Sequence, residues 1–568
     1  MGLGAFLICF GCPVELISFA AGPTFNKDIA PIIFKHCAPC HQPQQPGPFN
    51  LLAYPDVQKR AKQIVDVTSR RLMPPWLPEA GYGDFREARR LSDEEIRIIS
   101  AWTDGGCDQG NEPLSVQPPI FSEGWKWGEP DLVLTLTEPY PLVESGPDVW
   151  RSFVIPAPMQ AMRYVRAMEF QPGNKAIHHA VIRMDPTPHS RERDRSEPGL
   201  GFGGITLPET ARPPAGHMLN WLPGRVGYRS PEGLAWPFEA GADVVVQLHM
   251  QTTGKPEIVA PKIGFYFTDR APTNQLLVFP LRVRTLNIPG GESRYMVRDS
   301  YTLPIDARVL WVNPHAHFLG REMKGYARLP DQSTRWLFWI KQWNFNWQDD
   351  YSFREPVMLP RGSELFMEYV FDNSEGNHFN PTRPPRRVLF GEQSADEMAE
   401  MWVQVLPRNA EDRAVFERDF QGKTVREMGD YYKYRLGLNP SDAKAHARLG
   451  FVAGSQGRPA DAEKHLRKAI ELDPKDDDTR MHAGLFWLNE GRMAEAEASL
   501  TEAVKLNPAN DTALGILGYV LMKQGDLFRA EECLNASLRL NPKGPGVRDN
   551  LRRLEQLKAR ARKPGVGR

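Results

Sequence analysis

Cysteine is scarce: the 568-residue chain has six, at Cys9, Cys12, Cys37, Cys40, Cys107 and Cys533. So few thiols in so long a chain exclude a disulfide-stapled scaffold, and hydrophobic cores must hold the fold. Net charge is absent too. Lys+Arg and Asp+Glu balance at 70 each, which argues against nucleic acid or an acidic surface as partner. Beyond the first two dozen residues no apolar run reaches the ~18 residues that span a bilayer. Residues 2–22, "GLGAFLICFGCPVELISFAAG", are mostly apolar and end in small residues, so 1–22 reads as a signal peptide cut near Ala20–Gly22. It lacks the usual basic start, since nothing basic precedes Lys27, and Glu15 interrupts it. The expected location is periplasmic or extracellular. Histidine is also sparse, at 13, yet His178 and His179 stand side by side in "NKAIHHAVI".

The length implies three or four domains at roughly 150 residues each. Hydrophobic content of 41% and charged content of 25% are ordinary for globular protein, while Pro 51 and Gly 47 favour loop-rich β architecture in part of the chain. The reading is a multidomain protein: an α-helical haem domain at 24–112, two antiparallel β-sandwiches at 118–270 and 275–410, a helical connector at 411–437 and an α-helical repeat solenoid at 438–560.

"KHCAPCHQP" carries Cys37-Ala38-Pro39-Cys40-His41, the C-x-x-C-H of covalent c-type haem attachment, with His41 as the proximal iron ligand. A zinc site needs a second ligand pair. None follows, because neither Cys nor His occurs between His41 and Cys107. The lone Met there, Met73 in "RRLMPPWLP", is the remaining candidate for the second axial ligand. In "LSDEEIRIISAWTDGG", Ser92 and Glu95 have capping-box spacing, and Ile96, Ile99 and Trp102 mark one face of a closing helix. The whole span resembles the cytochrome c domains of exported bacterial enzymes.

From 118 to 410, short alternating runs separated by Pro, Gly, Asn and Asp have the pattern of antiparallel sandwiches, with a seam near Arg270–Asn274. Three places carry unusual polar residues: the His178-His179 doublet, His249 in "VVVQLHMQTTG", and His315-Ala316-His317 in "NPHAHFLG". An H-x-H pair on a strand places both rings on one face, within reach of one metal. Imidazole suits copper, zinc or iron alike. A doublet is harder, because strand neighbours point to opposite faces. Both rings serve one site if the strand is twisted or bulged and they use different nitrogens.

Over roughly residues 125–407 the order of these motifs resembles the copper type II, ascorbate-dependent monooxygenases, the family of peptidylglycine α-hydroxylating and dopamine β-monooxygenases. The resemblance implies two jelly-roll domains, each with one copper. His178, His179 and His249 would hold the electron-transfer copper. His315, His317 and Met398, the last in "SADEMAEMW", would hold the oxygen-activating one. The chain departs from the family in having no Cys between Cys107 and Cys533. It also has Asn313, Glu400 and Trp402 where peptide-acting members hold a substrate carboxylate with Arg, Asn and Tyr. A carboxylate beside Glu400 would be repelled. An aromatic, neutral or cationic small molecule is therefore expected in place of a peptide C-terminus.

Pro440, Pro474, Pro508 and Pro542 recur every 34 residues, as do Gly450, Gly484 and Gly518, then Gly457, Gly491 and Gly525. That period is the tetratricopeptide repeat, and it predicts three repeats with a polar capping helix, used for a protein partner or self-association. Taken together the chain reads as an exported enzyme that hydroxylates a small organic substrate with O₂, with two coppers and a c-type haem that takes the place of free ascorbate. The alternative is a non-catalytic copper and haem redox or sensing scaffold that assembles partners through its repeats.

Overall fold

The computed structural model describes residues 22–562, apart from 44–46, 87, 120–123, 205–206, 209, 224, 226, 542–543 and 545. The expected signal peptide, with Cys9 and Cys12, lies outside the described residues. The chain divides into two compact units. One comprises Met1–Trp76 and Glu87–Gly124, the other Leu77–Arg86 and Trp125–Arg568.

In the first unit a π-helical turn (Phe25–Ile29) leads into α1 (Ala30–His36), followed by α2 (Tyr54–Gln58), α3 (Ala61–Ser69) and α4 (Asp93–Asp104). Ser92 and Glu95 cap α4 reciprocally, as their spacing predicts, and Ile99 and Trp102 on its inner face are buried. Phe25 meets the rings of Phe34, Tyr54 and Trp102 at 5.3–6.4 Å, so the two ends of the unit close on one aromatic core.

The second unit opens with twelve strands and one helix: β1 (Leu132–Thr135), β2 (Tyr140–Leu142), β3 (Val149–Pro156), β4 (Arg163–Gln171), β5 (Ile177–Asp185), α5 (His189–Ser196), β6 (Phe202–Gly203), β7 (Leu219–Trp221), β8 (Gly227–Arg229), β9 (Trp236–Phe238), β10 (Asp243–Met250), β11 (Glu257–Val259) and β12 (Lys262–Thr268). One sheet runs β6-β3-β10-β5-β7, and the other runs β1-β12-β4-β8 with β9 also on β4. Their inner faces share one apolar core, including Phe153, Ile182, Val246, Phe170 and Phe265. The β10 strand is buried along its whole length, so His249 on it is rigidly held.

The second sandwich has β13 (Leu277–Arg282), β14 (Asn287–Ile288), β15 (Tyr295–Thr302), β16 (Ala307–His315), β17 (Gly320–Arg328), β18 (Thr334–Ile340), β19 (Tyr351–Leu359), β20 (Glu364–Phe371), β21 (Val388–Leu389) and β22 (Glu400–Pro407). Its main sheets are β13-β22-β16-β19 and β15-β20-β17-β18. Open edges invite unwanted pairing, and both ends of this sandwich are covered. The long α6 (Ala410–Leu438) lies along β13 and β15. There Phe416 packs on Phe279 and Tyr301, and Lys423 pairs with Asp299 at 2.7 Å.

Residues 77–86 cover β18 and β19. Glu79 donates its N–H to the Trp339 carbonyl at 2.7 Å and Arg86 to that of Ser352 at 2.8 Å, while Tyr82 meets Trp336 and Trp339 edge-on. Gly83 makes this approach feasible: its φ is +116°, and a Cβ there would stand 2.5 Å from the Leu337 carbonyl.

The chain ends in paired helices: α7 (Ala443–Ser455), α8 (Pro459–Leu472), α9 (Asp477–Asn489), α10 (Met493–Leu506), α11 (Asp511–Gln524), α12 (Leu527–Leu540), then α13 (Val547–Arg562). The 34-residue glycine period has a direct cause. A Cβ on Gly450, Gly484 or Gly518 would lie 2.5–2.7 Å from Cγ of Leu466, Leu500 or Leu534 on the partner helix. Asp511 of α11 reaches His189 of α5 at 3.6 Å, so the solenoid touches the first sandwich; the sequence offered no role for His189.

Candidate metal centres

The His doublet is resolved by a β-bulge. In the β5–β10 pairing His249 faces His179, while Met250 faces Ile177, so His178 is an extra residue in the ladder. The bulge breaks the alternation and turns both rings toward His249. The pairwise ring centroids are 5.5, 5.0 and 4.7 Å apart. His179 Nδ1 lies 3.3 Å from His178 Nδ1 and 3.3 Å from His249 Nδ1. With metal–nitrogen bonds of ~2.0–2.1 Å, tetrahedral ligand nitrogens are about 3.3–3.4 Å apart. The expectation that the doublet uses different ring nitrogens is corrected, because both rings present Nδ1. The bulge delivers them from adjacent positions without needing opposite ring edges. Among the described residues this is the one group of three or more His, Cys, Asp or Glu with metal-binding spacing.

The surroundings keep these rings neutral, as ligation requires. Burial lowers His178 to about 4, and the charge on His249 adds to this. Burial also takes His179 well down, reinforced by His249, His178 and His315. His249 Nε2 donates to Asp148 Oδ2 at 2.7 Å, which commits Nδ1 to the cluster. Trp150, directly across from His249 in the β3–β10 register, stacks on it at 4.3 Å and 5°. Neither Asp148 nor Trp150 carried a signal in the sequence, because only the register brings them to the site. Asp148→Ala should weaken metal binding here by roughly 10–100-fold, measured by competition titration; an unchanged affinity would show the contact to be idle.

The second set sits at a strand end. β16 stops at His315, and His317 follows in irregular backbone, so the H-x-H pair does not share a strand face as first expected. The rings still stand 5.3 Å apart. His315 Nδ1 bonds Gln348 Oε1 at 2.6 Å, and His317 Nδ1 bonds the Asp396 carbonyl at 3.1 Å. Both rings would therefore turn Nε2 to a metal, the opposite choice from the first set. Burial holds both below the ordinary histidine value, His317 at about 4.

Half-buried Met398 is drawn in by its neighbour Glu397. That buried carboxylate accepts the backbone N–H of His317, of Leu319 at 2.9 Å and of Met398 at 2.8 Å. Burial raises it to about 8 against the pull of those three N–H groups. Glu397 thus ties the histidine loop to the methionine segment, a role invisible in "SADEMAEMW".

The loop before β19 joins the two sandwiches. Arg225 binds Asp349 Oδ1 at 2.6 Å and Asp350 Oδ2 at 3.1 Å, and Asn313 Nδ2 donates to Asp350 Oδ1 at 3.0 Å. Gln404 adds a bond to the Gly216 carbonyl at 2.7 Å. Glu400 is buried and has a partner. Trp402 Nε1 donates to it at 3.0 Å, and Arg284, depressed mainly by burial and by Arg282, feels its charge.

In the first unit, one helical turn gathers the haem motif: Cys40 and His41 both donate N–H to the Cys37 carbonyl, at 3.2 and 2.9 Å. His41 Nδ1 bonds the Phe49 carbonyl at 3.1 Å, which would turn Nε2 to an iron. These residues fit a c-type haem. Met73 is half-buried in the loop after α3, in the same unit.

Comparison with known proteins identifies one part of the chain. Residues 448–510 and 488–554 match the tetratricopeptide repeat. The C-terminal solenoid is a tetratricopeptide module. Repeats of this kind commonly mediate protein–protein contacts. Solved structures similar to the chain include the first repeat domain of Spaghetti (RPAP3) bound to an HSP90 peptide, at 22% identity over 21% of this chain and 95% of that one, TM-score 0.20. PilF of Pseudomonas aeruginosa matches at 27% identity over 25% of this chain and 64% of that one, TM-score 0.24. The first repeat domain of human RPAP3 matches at 21% identity over 22% and 100%, TM-score 0.21. No curated protein matches the chain.

Proposed function

We propose that this chain is an exported copper-dependent monooxygenase that hydroxylates a small organic substrate with O₂, served by a c-type haem in its first unit. The observation that carries this reading is the convergence of three Nδ1 atoms at the His178 bulge, at the spacing of a single metal ion. When bound, copper supplies one-electron redox chemistry and O₂ activation, and the haem supplies a further electron store.

The chain's own residues do the rest. His178, His179 and His249 hold one ion in a rigid, neutral cradle oriented by Asp148. His315, His317 and Met398 hold the other, and the soft thioether favours the cuprous state. Glu397 ties the loop of His317 to the segment of Met398 through the backbone N–H groups of His317, Leu319 and Met398. Trp402 and Glu400 lie opposite Asn313 and His315 in the β16–β22 register, where an aromatic, neutral or cationic small molecule suits the chain better than a carboxylate. The tetratricopeptide module adds a protein partner or a second copy of the chain.

The test is product analysis under ¹⁸O₂. One labelled oxygen should enter the product, and Met398→Ala should depress turnover while the three-histidine centre stays loaded. Zinc in both centres after maturation with copper would favour the scaffold alternative, and oxygen consumption without labelled product would make the chain a copper oxidase that does not hydroxylate its substrate. For the haem, Met73→Ala should abolish the methionine–iron charge-transfer band of the native spectrum; a surviving band would remove Met73 as the axial ligand.

A further inference from the structure

The first repeat carries a histidine pair that the reading above does not use. His446 on α7 and His465 on α8 face each other across the helix pair, with Nδ1 atoms 2.9 Å apart and ring centroids 5.1 Å apart. His446 Nε2 lies 3.2 Å from the Pro440 carbonyl. A carbonyl only accepts, so that nitrogen carries the proton and Nδ1 keeps its lone pair, aimed at His465. Two nitrogens cis in the tetragonal geometry that Cu²⁺ prefers, at ~2.0–2.1 Å, lie about 2.9 Å apart, and opening the hydrogen-bonded pair by about half an ångström reaches the tetrahedral spacing of Zn²⁺. The equivalent positions of the later repeats hold Arg480 with Ser499, and Leu514 with Cys533. There Ser499 Oγ simply donates to the Arg480 carbonyl at 2.8 Å. The pairing of two imidazoles is therefore peculiar to the first repeat and is not demanded by the helix crossing. Both rings are half-buried, so an ion between them would reach solvent.

We infer that His446 and His465 form a third metal site, a two-histidine clamp for a borderline divalent cation such as Zn²⁺ or Cu²⁺, with water or a partner's side chain completing the coordination. Imidazole is the ligand these ions share. Burial, the largest cause, holds His465 below its ordinary value. Asp461 on the same helix bears an opposite charge, while Lys464 and Arg458 oppose a cation. Two protein ligands make the site weaker than the three-histidine centre. Its effect would be to pin α7 to α8 next to the α6 connector, which stabilises the start of the solenoid by mass action.

The full-length protein, stripped of metal, is titrated with zinc sulfate by calorimetry. The wild type should bind one more equivalent, in a weaker phase, than either His446→Gln or His465→Asn. Crystals of the wild type soaked in zinc chloride should show an anomalous peak between the two rings, a measurement that does not depend on how the variants fold. Equal stoichiometry in all three proteins, or no peak, would overturn the site and leave only a hydrogen bond between two neutral rings.

Discussion

Arg225→Ala should lower the stability of the second unit by about 3–5 kcal/mol, the cost of stranding a buried charge by removing its partner. Asp349 and Asp350 are nearly fully buried, and Arg225 pairs with both, while the charge of Arg183 also acts on Asp350. Burial already raises Asp350 from its ordinary value, with Arg225 the first influence holding it down. The sign of the pH effect follows. An acid whose folded pKa is raised is destabilising when ionised and costs nothing when protonated on both sides of the transition. The deficit should therefore be largest at neutral pH and shrink as pH falls into the carboxylate range. The triple variant Arg225→Ala/Asp349→Asn/Asp350→Asn should recover most of the loss. Gln348, which adjoins this pair, bonds His315, so the single variant should also weaken metal loading at the second centre. Thermal and urea unfolding check the first effect, and metal analysis checks the second. A loss that does not depend on pH would mean that Arg225 acts through packing alone.

Deleting His178 should leave the sheet intact and empty the three-histidine centre. Ile177 already pairs with Met250 and His179 with His249, so closing the bulge restores a regular ladder without moving a neighbour. The ion would lose a direct ligand. The loss of affinity should exceed the roughly 10–100-fold expected when only a ligand's supporting partner is removed. The variant should bind one copper fewer per chain and lose substrate hydroxylation, with unfolding close to that of the wild type. His249→Ala is the complementary change, because it keeps the bulge and removes a different ring. In rapid mixing of the reduced protein with O₂ and substrate, haem oxidation should keep pace with product in the wild type and separate from it in His249→Ala. Full copper loading in the deletion variant would show that the bulge is not what assembles the centre.

Periodic features were legible in the sequence. The 34-residue glycine and proline spacing predicts paired helices, and the Leu466, Leu500 and Leu534 contacts at Gly450, Gly484 and Gly518 are its physical cause. The Ser92–Glu95 cap is equally local, because the partners sit three residues apart and meet as soon as the helix forms. Alternating apolar runs announced antiparallel strands for the same reason, and the histidine, cysteine and methionine motifs named the candidate ligands. What the sequence could not express is register. The doublet made a twist or bulge a condition of one shared site, but only the β5–β10 register shows that the extra residue is His178. Asp148, Trp150, Gln348 and Glu397 reach the candidate centres from positions up to about a hundred residues away along the chain. Residues 77–86, adjacent in sequence to the haem motif's methionine loop, fold onto the edges of β18 and β19 instead. Each of these depends on which strand lies beside which, and that choice belongs to the packed cores of the two sandwiches. Local sequence therefore determined the elements and the chemistry of the side chains. Only tertiary structure decided which nitrogens face one another, because strand pairing energies are summed over whole sheets and not carried by any single motif.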